Sequence, residues 1–520
     1  MKYKFLAYIP VMAAALLSFS SCSEDFLDRE PDGNYITTDQ LEKAAKWNPK
    51  VLLGQTQGVT TSLIRWHAGG TDSQSDFGQK SVDISTDIIA HDIVFSNGTG
   101  SRYGYFREEA QGKATDKTST STDWYFYYKV IDACNFTLST LGSDEVEPEN
   151  PQYKLYYAEA KAARAYAYYN LVTLFTSGDY ATNKDQKVLP IYRTQSSEAH
   201  GPEPTSKVYD LILTDLEDAL VAFAGAASAS DGQYVPSIDQ PSPAVVHTLM
   251  AYTYLQMGKY TEAKQSADNA ILISKAAGKK ILTVDDLNYG FNTVNNDNWL
   301  WGVDITADNT GGLCTFWGMM DYYTYGYTYA GDFKSINSTL YNQIPANDAR
   351  RGWFHPSVLL PLGKFHSAVS TSAGGDRSWE SDIHFMRVEE PYLIAAEAEA
   401  RMGNAQGAAY YLKPILNNRY EDATDDEGNV TETAAQQVNE LLANKTAAEM
   451  LDEIFFNWRV EMWGEGKSLQ TFKRFKKDIV CPANDKYGQL GTITAGSKSL
   501  IFAIPLQELN YNPLMKDANQ

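Results

Sequence analysis

Basic charge is what this sequence has little of: 44 Lys and Arg stand against 65 Asp and Glu, for a formal net charge of −21. Phosphate binding relies on clustered Lys and Arg, so the balance argues against nucleic acid and against an anionic membrane surface as the ligand. Cysteine is scarce as well. Cys22, Cys134, Cys314 and Cys481 are the only four, and they lie far apart with no CxxC and no zinc-type spacing. The seven His (His67, His91, His200, His247, His355, His366 and His384) form no HExxH or other metal-binding pattern, so no metal or cofactor is expected. A GxSxG nucleophile elbow is missing, which leaves a hydrolase serine unsupported. Gly464-Glu465-Gly466-Lys467-Ser468 ends like a phosphate loop, but Glu461 stands where that loop needs its first Gly, and a carboxylate there repels phosphate. Asp425-Asp426-Glu427-Gly428-Asn429 lacks the alternate acids of an EF-hand and reads as an acidic turn. Beyond the N-terminus no run is long and apolar enough to span a bilayer.

Aromatic side chains are abundant. The chain has 34 Tyr and 10 Trp in 520 residues, more than an ordinary core requires. Such a load suits surfaces where a ring face binds and a hydroxyl stays wet. The N-terminus is also distinctive. Lys2 and Lys4 precede an apolar run from Phe5 to Phe19, the length of a signal-peptide core and too short for a comfortable span. Ser20 and Ser21 then precede Cys22, which resembles a bacterial lipobox, and Ser23-Glu24-Asp25 resembles the surface-export signal of Bacteroidetes lipoproteins. These residues predict a signal peptide over 1–21, acylation of Cys22, and a polar tether over 22–40. Several acyl chains on one Cys anchor a protein stably, since each buried CH₂ contributes ~0.8 kcal/mol. With Cys22 consumed by lipid, three Cys remain, too few for a disulfide framework.

The rest reads as one domain over 41–520, mainly helical. Apolar positions over 40–66 suit a helix, and the Gly, Ser, Thr and Asp of 67–122 suggest loops and short helices. Tyr153 to Phe175 carries Leu155, Ala158, Ala162, Ala165, Tyr166, Tyr169 and Val172 at three- and four-residue spacing, and stops at Ser177-Gly178-Asp179. A second helix is predicted from Ser206 to Phe223. Pro241-Ser242-Pro243 opens a third. That helix runs into Tyr252, Gly258, Tyr260, Ala263, Ala267 and Ala270, a pattern that resembles one tetratricopeptide repeat. A weaker echo follows at Ala396, Gly403 and Ala408. Between these hairpins, about 280–380, no helical period is sustained; long loops and short strands are predicted there, inserted into the helical frame. Such loops on a rigid scaffold commonly carry function. The runs Trp124–Tyr128 and Phe455–Trp458 read as core packing on helices.

Several motifs in order carry a family resemblance along the whole chain. They are Cys22-Ser23-Glu24-Asp25-Phe26-Leu27-Asp28; Glu159-Ala160-Lys161-Ala162-Ala163-Arg164-Ala165-Tyr166 with Leu189-Pro190-Ile191; Val208-Tyr209 with Asp215-Leu216; the hairpin over 251–270; Arg387-Val388-Glu389-Glu390-Pro391-Tyr392-Leu393; Phe456-Asn457-Trp458-Arg459-Val460-Glu461 with Gly464-Glu465-Gly466; and Ile504-Pro505 with Asn512-Pro513. Together they resemble the SusD/RagB family. Lys467 stands where Arg is usual, and Pro391 falls inside a helix motif, where it must start or kink the helix. The resemblance implies a mainly α, SusD-like fold with tetratricopeptide-like helical hairpins and an irregular, loop-rich, ligand-facing subdomain. It also implies a SusC-like TonB-dependent transporter as partner, an outer-membrane surface location, and capture of oligosaccharides, or of peptides in a minority of members, without catalysis.

Sugar binding needs a flat aromatic face for the C–H side of a pyranose and polar groups at the ring edge for its hydroxyls. Two stretches offer both. The first is Trp66 and His67, with Arg65, Asp72, Gln74, Asp76, Gln79 and Lys80, together with Arg102 and Tyr103. The second is Trp317 with Asp321 to Tyr329, including Tyr322, Tyr323 and Tyr325. The competing reading places Trp66 and Trp317 in the core. A glycosidase remains an alternative that requires a carboxylate pair across a cleft, and no spacing selects one. Glu159, Glu390, Glu397 and Glu461 lie in helical motifs and are expected to pair with Arg164, Arg387 or Arg459.

Overall fold

The computed structural model describes residues 38–97, 102–103, 118–229, 237–486 and 491–518. The predicted signal peptide, Cys22 and most of the tether lie outside the described residues. The chain divides into two compact units, 1–53 and 54–520. In the first, the described residues form helix α1 (Thr38–Trp47) and a 3-10 turn, Pro49–Leu52. A single helix over 40–66 is therefore not formed. Pro49 has no N–H to continue α1, and the Asn48 side chain accepts from Lys50 N to start the new turn.

The second unit is built on helices. Its long elements are α2 (Leu53–Ile64), α3 (Gln79–Ile89), α4 (Thr118–Thr140), α5 (Pro151–Phe175), α6 (Thr205–Ala229), α7 (Pro243–Gln256) and α8 (Tyr260–Ala276). The short α9 (Phe316–Met320) follows, then α10 (Glu389–Arg401), α11 (Ala405–Leu416), α12 (Ala447–Glu461) and α13 (Ser468–Phe475). Local chemistry sets the ends. Asn150 caps α5 by accepting from Gln152 N at 2.8 Å, and Pro151 sits in the first turn, where its missing N–H costs nothing. Pro391 likewise falls in the first turn of α10, so it starts that helix without kinking it.

Helices α4, α5, α6, α7 and α8 pack each on the next, and α8 packs on α10. The two repeat-like hairpins, α7–α8 and α10–α11, are thus neighbours in space although about a hundred residues separate them in sequence. Ala263, Ala267, Ala270 and Ala408 are fully buried, which lets the helix backbones approach closely. Each hairpin turns at a glycine with positive φ, Gly258 and Gly403.

The strands are short antiparallel pairs. Two of them define the loop-rich region. β2 (Trp299–Val303) pairs with β4 (Ile383–Arg387), Val303 opposite Ile383 and Trp299 opposite Arg387, and so clasps residues 304–382 at their base. β1 (Ile93–Phe95) pairs with β3 (Lys334–Ile336) and ties that region to the end of α3. The acidic stretch at 421–434 is a hairpin, Ala423–Thr424 against Val430–Glu432, its turn closed by Asp425 accepting from Glu427 N and Asn429 N.

Under the clasp lies a buried charge cluster. Arg387 bonds Glu461 at 2.9 Å, Glu389 at 2.9 Å and Glu465 at 2.8 Å. Arg419 bonds Glu461 and Glu389, Arg350 bonds Asp348 and Glu461, and Lys364 bonds Glu465. Four cations and four carboxylates balance, as burial of charge requires. The expected pairing of Glu461 with Arg387 is present. The other expected pairs are not. Arg164 bonds Asp144 and Asp215, Arg459 bonds Asp92, and Glu397 bonds Arg474 and Arg401. Glu390 accepts from Tyr252 and pairs with Lys467, which joins α10 to α7. Glu159 has no ion pair among the described residues, and burial with Asp239 nearby pushes its carboxyl up to about 8.

Candidate functional site

The segment after α2 is folded around one carboxylate. Asp76 accepts from Gly69 N at 2.7 Å, Thr71 N at 2.9 Å and Thr71 Oγ1 at 2.8 Å, and is 1% exposed. It shapes the loop and cannot touch a ligand, which corrects its placement at a sugar rim. Gln79 and Lys80 also turn inward, to Asp83. What the loop presents is Trp66, 39% exposed, with its ring 3.8 Å from the His67 ring and its Nε1 donating to Ser73 O at 3.3 Å. His67 holds a positive φ of 63°, and its Nδ1 is held by Thr71 O. Two anchored rings side by side form a rigid, half-wet platform. Arg65 and Asp72 are exposed beside it in sequence.

The second segment follows α9. Trp317 is 1% exposed and packs edge-on to Phe316, so it belongs to the core. Tyr103 is also fully buried, its hydroxyl 3.1 Å from Ser81 Oγ. Both are corrections to the sequence reading, and the cause is shared: each large ring fills space where loop meets helix, α9 in one case and α3 in the other. Arg102, by contrast, is exposed, with its guanidinium 4.9 Å from the Tyr327 ring and its backbone N bonded to Asp332.

Past Trp317 the chain surfaces as a tyrosine cluster. Tyr322 and Tyr323 are half-buried, and Tyr325 and Tyr329 are 36% and 41% exposed. Ring centroids lie 6.1 Å apart for Tyr322 and Tyr329 and 5.9 Å for Tyr325 and Tyr329. The Arg377 guanidinium sits 4.1 Å over the Tyr325 ring. Gly374 lies so close to the Tyr329 ring that a Cβ there would meet it at 2.8 Å.

Two buried carboxylates fix this surface. Asp321 accepts from Tyr323 N, Thr324 N and Ser367 N, and burial pushes its carboxyl up to about 6 against those bonds. Asp376 accepts from Ser367 Oγ, Ser378 N and Trp379 N. The 367–380 loop is thereby latched to the tyrosine run, with Tyr325 N donating to Asp376 O and Gly374 N to Tyr322 O. Trp379, whose Nε1 donates to Tyr325 O, reaches the other segment: it lines a narrow cleft with Leu63, Ile64, Phe77, Phe316 and Trp317. Residues beneath the two stretches thus share one cleft. Arg377 and Trp379 lie outside the stretches that the sequence singles out. The signal was present in Gly374-Gly375-Asp376-Arg377-Ser378-Trp379, a turn-rich run with a cation and an indole.

Chemically, exposed ring faces, phenol hydroxyls and guanidinium donors can stack on an apolar face and hydrogen-bond its polar edge. Asp321 and Asp376 are saturated by loop donors and organise the surface.

A family model described as SusD family matches residues 292–517, and one described as starch-binding associating with outer membrane matches residues 25–234. No curated protein matches the sequence. Among solved structures, a SusD-like carbohydrate binding protein from Bacteroides vulgatus superposes with TM-score 0.69 at 20% identity, covering 94% of this chain and 99% of that one. A SusD superfamily protein from Bacteroides thetaiotaomicron gives 0.69 at 19% identity, over 93% and 100%. Surface glycan-binding protein A from Bacteroides fluxus gives 0.62 at 14%, over 90% and 98%. These likenesses establish the fold, and with both family models they lead to one conclusion: the chain belongs to the SusD/RagB family.

Proposed function

We propose that this protein is a cell-surface glycan-binding lipoprotein that captures oligosaccharides and passes them to a SusC-like TonB-dependent transporter, without covalent chemistry. The observation that carries the reading is the exposed tyrosine cluster of Tyr322, Tyr325 and Tyr329 with Arg377 over Tyr325, with the exposed Trp66–His67 pair as a second aromatic platform. Rings held by hydrogen-bonded loops lose little freedom on binding, which favours capture. Delivery to a transporter calls for modest affinity, so that hand-off is easy. The family's description as associating with the outer membrane supports the same reading, as do the carbohydrate-binding protein from Bacteroides vulgatus and surface glycan-binding protein A among the structural neighbours. In it, residues 1–21 direct export, acylated Cys22 anchors the chain, and 41–520 form the binding domain.

The test is a retention screen of the purified protein against plant, host and microbial polysaccharides, with product analysis of each mixture. Retardation by one glycan class with no new products is the expected result. Cleavage products would overturn the non-catalytic reading, and silence across all glycans would redirect the assignment to peptide cargo.

A further inference from the structure

On a different part of the fold, three side chains from distant parts of the chain converge: His91 after α3, and Cys481 and Asp485 after the strand Ile479–Val480. His91 Nδ1 lies 3.4 Å from Asp485 Oδ2, and Cys481 Sγ lies 3.6 Å from the same oxygen. All three ligand atoms fall within 4.8 Å of one another. His91 and Asp485 are buried and Cys481 is half-exposed.

We infer that His91, Cys481 and Asp485 bind a single zinc-like divalent cation through imidazole nitrogen, thiolate and carboxylate, with a fourth position open toward solvent beside Cys481. Tetrahedral bonds of about 2.0–2.3 Å span edges of about 3.3–3.7 Å, and the two measured separations fall in that range. The donor set suits zinc, which accepts sulfur, nitrogen and oxygen together. A dication also neutralises one carboxylate and one thiolate, so the loaded site carries no net charge into a buried position.

The scaffold is set before any ion arrives. His91 adopts a left-handed backbone with φ of 53°, rare for a residue with a Cβ, and its carbonyl is held by Asn337 Nδ2 at 2.9 Å. Across from it, Asn484 accepts from Ser338 N and donates to Ile336 O, and Lys486 N donates to Phe95 O at 2.8 Å. These bonds seat the 481–486 turn on the β1–β3 pair. An ion there would cross-link the C-terminal segment to the strand pair that ties down the loop-rich region.

The test uses the full chain, stripped with chelator under reducing conditions and titrated with Zn²⁺ against a chromogenic competitor, and separately with Co²⁺. Expected are one equivalent bound, a rise in Tm on adding Zn²⁺, and, with Co²⁺, a thiolate-to-cobalt charge-transfer band with tetrahedral visible absorption. Cys481→Ser changes a half-exposed side chain by one atom and should fold; it should lose the charge-transfer band and weaken Zn²⁺ at least tenfold. Asp485→Asn should weaken binding and keep the band. A wild-type chain that binds no stoichiometric Zn²⁺, or Cys481→Ser with unchanged affinity and Tm response, would overturn the assignment.

Discussion

Trp66 and Trp317 are both candidates for an aromatic platform by sequence, yet one is 39% exposed and the other 1%. Burial of a single ring depends on what crosses it from elsewhere in the chain, and local sequence does not encode that. The difference makes opposite predictions. Trp317→Ala should cost about 3–5 kcal/mol of stability by opening a core cavity, read as a lower unfolding midpoint in denaturant. Trp66→Ala should leave the midpoint almost unchanged and lower only ligand retention. The acids divide the same way. Asp76, Asp321 and Asp376 stand in polar stretches that suggest contact with hydroxyls, but backbone N–H groups claim them first. In the run Tyr322 to Tyr329 the phenols are too many for all to be buried, and Tyr325 and Tyr329 are exposed. The His91–Cys481–Asp485 set was illegible because its members lie far apart in the chain.

At the level of elements, helix patterning was legible where spacing, caps and stops agreed, as in α5 and in α7 with its turn at Gly258. The stacking of α8 on α10 was not, because that contact joins segments on either side of the loop-rich region. The motifs around Arg387 and Glu461 acquire a physical meaning in the fold: they meet in one buried cluster beneath the β2–β4 clasp. Burial opposes the charge of Glu461, but the guanidiniums of Arg419, Arg387 and Arg350 outweigh it and hold its carboxyl well below the usual range. Burial likewise opposes the charge of Glu465, and Arg387, Lys364 and His384 overcome it. Glu461→Gln should therefore destabilise the protein by about 3–5 kcal/mol, since it strands buried cations. The pH dependence follows in sign. A glutamate depressed on folding contributes its full stability above the unfolded value of about 4.3. That contribution shrinks as pH falls below this value and is gone once pH passes under the folded value. Calorimetric Tm of the wild type should fall steeply below about pH 4.5, and Glu461→Gln, already lacking one such group, should show a shallower slope.

For the whole molecule, the mainly α architecture is readable from hydrophobic period. The base of the loop-rich region is set by pairing of β2 with β4, which brackets 304–382, and strand pairing across such a distance has no local signature. The proposed reading puts a lipid anchor on Cys22. Cys22→Ser should release the protein from the membrane fraction into the soluble fraction, measured by fractionation and metabolic labelling with a fatty acid; a variant that stays membrane-bound and labelled would contradict acylation at that residue.

Capture of a glycan by the exposed rings of Trp66 and Tyr325 is read by calorimetric titration of the best-retained oligosaccharide. Wild type should bind with modest affinity. Tyr325→Ala and Trp66→Ala should each weaken binding by about tenfold, equivalent to ~1.4 kcal/mol, with unchanged Tm. Equal affinity in wild type and both variants would show that the glycan is not held by these rings.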